Sequence, residues 1–183
     1  MKRIFLPVVV VLVFVLSGCG FVDQKDEAVE PDANEIFRHV YSVATAATSA
    51  NGNEAKFRWM NNTKPFPYKE ASWADTIPWT CTDQEGTARV EFIAETTYGK
   101  DLRNENYREQ VEKVRAAWES RGLRVRSVGA SKGMIQIATD LDYGTVVVYT
   151  AGLGGESVEA STQCFAGFAG DESSAKTFPA EKA

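Results

Sequence analysis

Two stretches of the chain show helical hydrophobic periodicity. In residues 35–50 apolar side chains recur on one helical face, and Asp32 or Asn34 can cap the helix that this pattern predicts. Residues 104–121 form the second predicted helix, and Gly122 supplies a left-handed stop after it. The apolar positions of this second helix, at steps of four, three and four, are Tyr107, Val111, Val114 and Trp118.

Strand periodicity begins near Thr87, where Val90, Phe92 and Ala94 alternate with mostly polar residues. Four further strands follow the second helix, joined by glycine-containing segments of hairpin length. This order predicts an α+β two-layer sandwich, with a mainly antiparallel sheet of about five strands and two helices packed on one face. The four later strands are predicted at residues 123–128, 134–139, 145–150 and 157–165.

Residues 57–80 lack either periodicity and combine prolines with many aromatic side chains. Proline removes ladder donors, so the segment is predicted to be irregular or to lie at a sheet edge. In one interpretation the aromatics cover the core as a lid. In the other, some of them form an exposed platform for a sugar, a peptide or a partner protein. The platform candidates are Trp59, Tyr68, Trp73 and Trp79.

The N-terminus has the layout of a secretory signal peptide, with Lys2 and Arg3 before an apolar run from Ile4 to Leu16. The alternative is a transmembrane helix. At about 1.5 Å per residue this run reaches only about 20 Å, which is short of the roughly 30 Å hydrocarbon core. The pattern therefore favours a signal peptide, predicted at residues 1–18.

The residues that close this run, Leu16-Ser17-Gly18-Cys19, resemble the lipobox of bacterial lipoprotein signals. The resemblance implies that Cys19 carries a diacylglyceryl group, that cleavage precedes it, and that the protein is anchored outside the cytoplasm to the cell membrane. Residues 19–31 are predicted to form an acidic tether that an anionic bilayer repels. A single domain at residues 32–166 and a flexible tail at residues 167–183 complete the predicted organisation.

Charge and cysteine content narrow the function classes. From Cys19 onward the chain has 18 basic and 25 acidic residues, a net charge of −7, which argues against nucleic acid as a partner. With Cys19 lipidated, Cys81 and Cys164 remain, and an oxidising compartment favours a disulfide between them. Two buried free thiols are the alternative.

Candidate chemistry is sparse. The only histidine, His39, is typical of a packing or surface residue on the first helix rather than a ligand or base. Asp140-x-Asp142-x-Gly144 is a fragment of a calcium loop without the remaining ligands, so a hairpin turn is favoured. No catalytic residue, metal or cofactor is predicted.

At the level of the whole chain, the sequence resembles small actinobacterial lipoproteins of the LppA-like type. The resemblance depends on the lipobox, the acidic tether, Trp79-Thr80-Cys81, Ala116-Ala117-Trp118 with Arg121-Gly122, and the late Cys164. It implies a surface-anchored α+β domain with no catalytic residues. We therefore expect a non-enzymatic binding module with residues 57–80 as the contact region. The alternative is a small cell-wall or small-molecule enzyme with a site between the sheet and residues 57–80.

Overall fold

The computed structural model of the protein describes residues 32–52, 56–59, 65–66, 70–97, 104–170, 175–176 and 178–179. The predicted signal peptide, the whole acidic tether with Cys19, and Tyr68 lie outside the described residues. All described elements belong to one compact unit, Pro31–Ala183.

The two predicted helices are present, with α1 at Ala33–Ala50 and α2 at Tyr107–Glu119. The Asp32 side chain caps α1 by accepting a hydrogen bond from the Asn34 backbone N–H at 2.9 Å. Gly122 (φ 80°) ends α2, and the Leu123 N–H donates back to the Trp118 carbonyl at 3.1 Å. Each predicted cap or stop therefore acts where the pattern placed it.

In the part of the chain that the structure describes, nine β-strands accompany the helices. Seven of them form one antiparallel sheet in the order β1-β4-β8-β7-β6-β5, with β3 pairing with β4 on the same side as β1. The strands β2 and β9 form a separate antiparallel pair. The ranges are β1 Arg58–Trp59, β2 Glu70–Ala71, β3 Ile77–Thr80, β4 Ala88–Thr97, β5 Val125–Ser131, β6 Met134–Asp140, β7 Val146–Gly152, β8 Gly155–Ser161 and β9 Phe178–Pro179.

The α+β sandwich is confirmed, and its sheet is larger than predicted. The meander β5 to β8 and strand β4 correspond to the five predicted strands. The additional strands β1 and β3 come from the proline-rich aromatic segment, and both lie at the sheet edge. This position suits proline, because Pro78 needs no ladder donor on its outer side.

The core lies between the helices and one face of the sheet. Its centre is a cluster of aromatic rings in which Trp59 lies 5.1 Å from Phe92 and 5.2 Å from Phe66, measured between ring centroids. The two helices are joined by the Trp118 indole N–H, which donates to the Val43 carbonyl at 3.0 Å. Trp59, the buried residue of the short strand β1, thus continues the core formed by the regular elements.

The prediction of a loose tail from residue 167 is wrong for the described part of that segment. Phe168 is 1% exposed and lies 6.0 Å from the Trp73 ring, and β9 pairs with β2. The Lys176 backbone N–H also donates to the Asn34 side chain at 2.7 Å. Burial of Phe168 and the pairing of β9 with β2 order parts of this segment, although its polar composition predicted a flexible tail.

Candidate binding surfaces

The structure separates the predicted aromatic platform into buried and exposed members. Trp59 and Trp73 are each 1% exposed, because Trp59 packs on Phe66 and Phe92 and Trp73 packs on Phe168. The platform interpretation is therefore wrong for these two tryptophans, which cover the core. Trp79 alone among the described candidates is exposed, with 52% of its surface accessible.

Trp79 is exposed because of its register on the edge strand β3. It pairs with Arg89 of β4, so both side chains lie on the same side of the sheet. The alternate residues Val90 and Phe92 point into the core, with Phe92 against Phe37 of α1. Trp79 and Arg89 consequently lie on the side of the sheet opposite the helices.

We call this side the open face. Ile93 pairs with Glu159, which in turn pairs with Val148, so an aliphatic and acidic row crosses the centre of the sheet. These side chains are half-buried, whereas their neighbours on the helix side are buried. The open face includes Trp79, Arg89, Glu91, Ile93, Glu95, Asp140, Val146, Val148, Thr150, Ser157, Glu159 and Ser161.

The charges of the open face are mainly acidic and only partly paired. Arg89 lies 3.7 Å from Glu91, an exposed pair that stabilises the fold little. On the same side of the sheet, Arg126 makes two hydrogen bonds to Asp140, at 2.7 and 2.8 Å, and the hydrogen-bonded guanidinium lowers the pKa of that carboxyl. The face thus presents one aromatic side chain, aliphatic side chains and an excess of carboxylates.

Cys81 and Cys164 lie at disulfide distance, with their Cα atoms 6.3 Å apart. The bond joins the end of β3 to the segment after β8, next to the Ala88–Phe165 bridge. It therefore links β3, which carries Trp79, to the segment that follows β8 on the opposite side of β4.

A second exposed feature is an open groove of about 350 Å³ between α1 and the β6–β7 turn. The α1 residues that line it are polar and recur at i, i+3, i+4 and i+7, which places them on one helical stripe. His39 is therefore a surface residue, as predicted, but lies in a groove. The six lining residues are Glu35, Arg38, His39, Ser42, Asp142 and Tyr143.

The turn that forms one wall of the groove is a tight hairpin turn, as predicted for residues 140–144. Tyr143 (φ 57°, ψ 34°) and Gly144 (φ 62°) both adopt left-handed conformations, and the Thr145 N–H reaches the Asp142 carbonyl at 3.4 Å. This is the geometry of a type I′ turn. Glycine suits the left-handed φ of position 144, where a larger residue would be strained and would also displace the exposed Gln163 side chain.

Tyr143 was not singled out by the sequence. A left-handed conformation costs a residue with a side chain roughly 1–2 kcal/mol, and such residues often occur at functional positions. Its ring is 55% exposed and lies edge-on to Phe165, with the centroids 6.4 Å apart. Tyr143 could have been identified from the sequence because it is an aromatic residue at the first central position of an Asp-x-Gly turn.

One buried carboxylate lies on the helix side of the sheet. Glu156 is 3% exposed and accepts hydrogen bonds from the Tyr149 hydroxyl at 2.6 Å and from Asn51 at 3.3 Å. Its own backbone N–H donates to the Thr96 hydroxyl at 3.3 Å. The group links the end of α1 to the β7–β8 hairpin.

Within the described ranges, no three His, Cys, Asp or Glu side chains are grouped as metal ligands. The space between the sheet and the described residues of 57–80, where the alternative function placed a catalytic cleft, is filled by Trp59, Phe66 and Phe92. Neither α1 nor α2 is long and apolar enough to cross a membrane.

The protein is therefore an α+β sandwich with an open sheet face. A cysteine pair joins its edge strand β3 to the segment after β8. No family model matches the chain, and no curated protein matches it. Among solved structures, the chain is weakly similar to a crystal structure of a DUF4853 family protein from Actinomyces odontolyticus. The two are 16% identical with a TM-score of 0.44, over 76% of this chain and 70% of the other.

Proposed function

We propose that the protein is an envelope lipoprotein, anchored through Cys19, whose domain binds a partner protein through the open face. The observation that carries the anchoring is the lipobox Leu16-Ser17-Gly18-Cys19 at the end of an apolar run that is too short to span a bilayer. The Cys81–Cys164 pair supports it, because disulfides persist in oxidising compartments.

The proposed anchor limits how far the domain can lie from the membrane. The 13 residues from Cys19 to Pro31 reach at most about 45 Å when fully extended, at about 3.3–3.6 Å per residue. Two acyl chains hold a protein stably, so the acidic tether need not contribute to membrane binding. Its charge instead favours separation of the domain from an anionic surface.

Replacement of the lipidated cysteine tests the anchor. We expect Cys19→Ser to gain neither the lipid nor the cut before residue 19, so that its mass equals that of the uncleaved chain without lipid. Ser17→Ala keeps a small residue in the lipobox and serves as the control that is still cleaved and lipidated. A mass of Cys19→Ser that still corresponds to the cleaved, lipidated chain would falsify the anchor.

The composition of the open face supports the binding role. Tryptophan and arginine are enriched among residues that dominate binding energy, and Trp79 and Arg89 lie side by side at the edge of the face. The half-buried Ile93 extends the apolar area beyond Trp79. Glu91, Glu95 and Glu159 outnumber Arg89, so charge complementarity favours a partner with a basic surface.

Site-specific photo-crosslinking in the native envelope tests this surface. A photoreactive residue at Glu91, on the open face, is compared with one at Glu112, an exposed position on α2. We expect a crosslinked partner from position 91, none from position 112, and loss of the crosslink in the Trp79→Ala background. The same crosslinks from both positions, or a crosslink at 91 that survives Trp79→Ala, would contradict docking on the open face.

A further inference from the structure

We infer that the groove between α1 and the β6–β7 turn binds a neutral, polyhydroxylated ligand, that is, one or two sugar units. This inference concerns a different surface from the open face and does not depend on the proposed partner. It starts from the size of the groove. A volume of about 350 Å³ is at the small end of ligand sites, which span roughly 300–1,000 Å³.

The lining of the groove determines which chemistry suits it. Most ligand sites are lined mainly by apolar side chains, whereas five of the six residues here are polar or charged. Glu35 and Asp142 accept hydrogen bonds, Arg38 donates them, and His39 can do both. A ligand whose groups both donate and accept, such as a ring of hydroxyls, matches this mixture.

The charges argue against an ionic ligand. An anion would meet the carboxylates of Glu35 and Asp142. The Arg38 guanidinium would oppose a cation, and it already lies 3.8 Å from Glu35. Ser42 also accepts a hydrogen bond from Arg121, at 3.1 Å, which adds a second cation to that end of the groove. With charges of both signs close together, neither sign of ligand is favoured over a neutral one.

Tyr143 provides the apolar element that a sugar needs. The pyranose ring has C–H faces that pack against an aromatic ring, and aromatic side chains combine a large contact area with few rotatable bonds. The left-handed backbone of Tyr143 and the edge-on contact of its ring with Phe165 restrict where the ring can lie, and the residue remains 55% exposed. This restriction reduces the entropy lost on binding.

The chain contains a single histidine, and it lines the groove. Its imidazole C–H signals in proton NMR therefore report on this site alone, without assignment of the rest of the spectrum. The experiment titrates the mature chain, residues 19–183 with Cys19→Ser so that no lipid is attached, with neutral disaccharides of glucose, galactose, mannose and N-acetylglucosamine. A single aromatic contact and a few hydrogen bonds suggest a Kd of about 0.1–10 mM.

Three variants make the test specific. Tyr143→Asn removes the ring but suits the left-handed turn position, so the hairpin should form and binding should weaken at least about tenfold, or 1.4 kcal/mol. Tyr143→Phe keeps the ring and should bind within about threefold of the parent chain. Trp79→Ala, on the open face, should leave sugar binding unchanged, which separates this inference from the proposed partner site.

Two kinds of result support the inference: saturable shifts of the His39 signals with at least one of the disaccharides, and their loss in Tyr143→Asn. It is overturned if none of the four disaccharides shifts these signals at about 20 mM, well above a millimolar Kd. It is also overturned if Tyr143→Asn binds like the parent chain. Larger shifts with inorganic phosphate or with tetramethylammonium would assign the groove to an anion or a cation instead.

Discussion

Loss of the Cys81–Cys164 bond should destabilise the domain about as much as truncation of a large side chain in its core. The two cysteines are 83 residues apart, and the loop between them contains β4 to β8 and α2. In the chain-entropy model, closure of a loop of that length stabilises the fold by about 4.5 kcal/mol, and measured values commonly fall between about 2 and 5 kcal/mol. We expect a loss of about 2–4.5 kcal/mol on reduction.

Urea unfolding, followed by fluorescence of the four tryptophans, measures this effect. The purified chain carries Cys19→Ser, so that Cys81 and Cys164 are its only cysteines. Oxidised and reduced forms of this chain are compared with the double variant Cys81→Ser/Cys164→Ser. The free energy of unfolding of this variant should equal that of the reduced form and should not change when reductant is added. At roughly 2–4 °C per kcal/mol for a domain of this size, the melting temperature should fall by about 4–18 °C.

The reasoning would be refuted if reduction added the mass of two hydrogens but left the unfolding midpoint unchanged. It would also be refuted if both thiols reacted with an alkylating agent before any reductant was added, because the cysteines would then be free in the native protein. An altered slope of the unfolding curve with an unchanged free energy of unfolding would also contradict the expected stabilisation, because the bond would then change only the compactness of the unfolded chain.

Two further outcomes are expected. Burial, and then the negative charge of Asp75, raise the pKa of Tyr41 well above its ordinary value of about 10. As the pH rises, Tyr41 therefore ionises in the unfolded chain before it does so in the folded protein. The free energy of unfolding is unaffected by this group below about pH 10 and declines above it by up to about 1.4 kcal/mol per pH unit. Urea midpoints across this range should fall less steeply for Tyr41→Phe, whereas the exposed Tyr143→Phe should retain the slope of the parent; equal slopes for all three would contradict the assignment. Gly155→Ala should lower the free energy of unfolding by roughly 1–3 kcal/mol, because the new methyl would clash with the Thr96 carbonyl. Gly154→Ala, which meets open space, should stay within about 0.5 kcal/mol of the parent, and equal losses in both variants would exclude the clash as the cause.

Local signals in the sequence accounted for most of the regular elements. The spacing of Val111, Val114 and Trp118 identified α2, and Gly122 identified its end, because both depend on interactions within a few residues. The alternation around Phe92 identified β4 and its buried side in the same way. The two-layer arrangement followed, since each element has one apolar side to bury.

The tertiary structure decided which side chains are available to bind. Trp59, Trp73 and Trp79 occur in one segment with similar surroundings, yet the first two are buried and the third is exposed. The difference arises from the register of β3 on β4 and from the packing of Phe168, which are contacts between residues far apart in the chain. Local pattern does not contain that information.

The candidate sugar groove also combines features that are local in the sequence with an arrangement that depends on long-range packing. The helical stripe from Glu35 to Ser42 and the turn around Tyr143 are each local features of the sequence, separated by about a hundred residues. Only the packing of α1 beside the end of the β6–β7 hairpin brings them together. The sequence by itself determined the elements, their apolar sides and the candidate anchor at Cys19. The fold determined the open face, the groove and the burial of the tail, because these depend on long-range contacts.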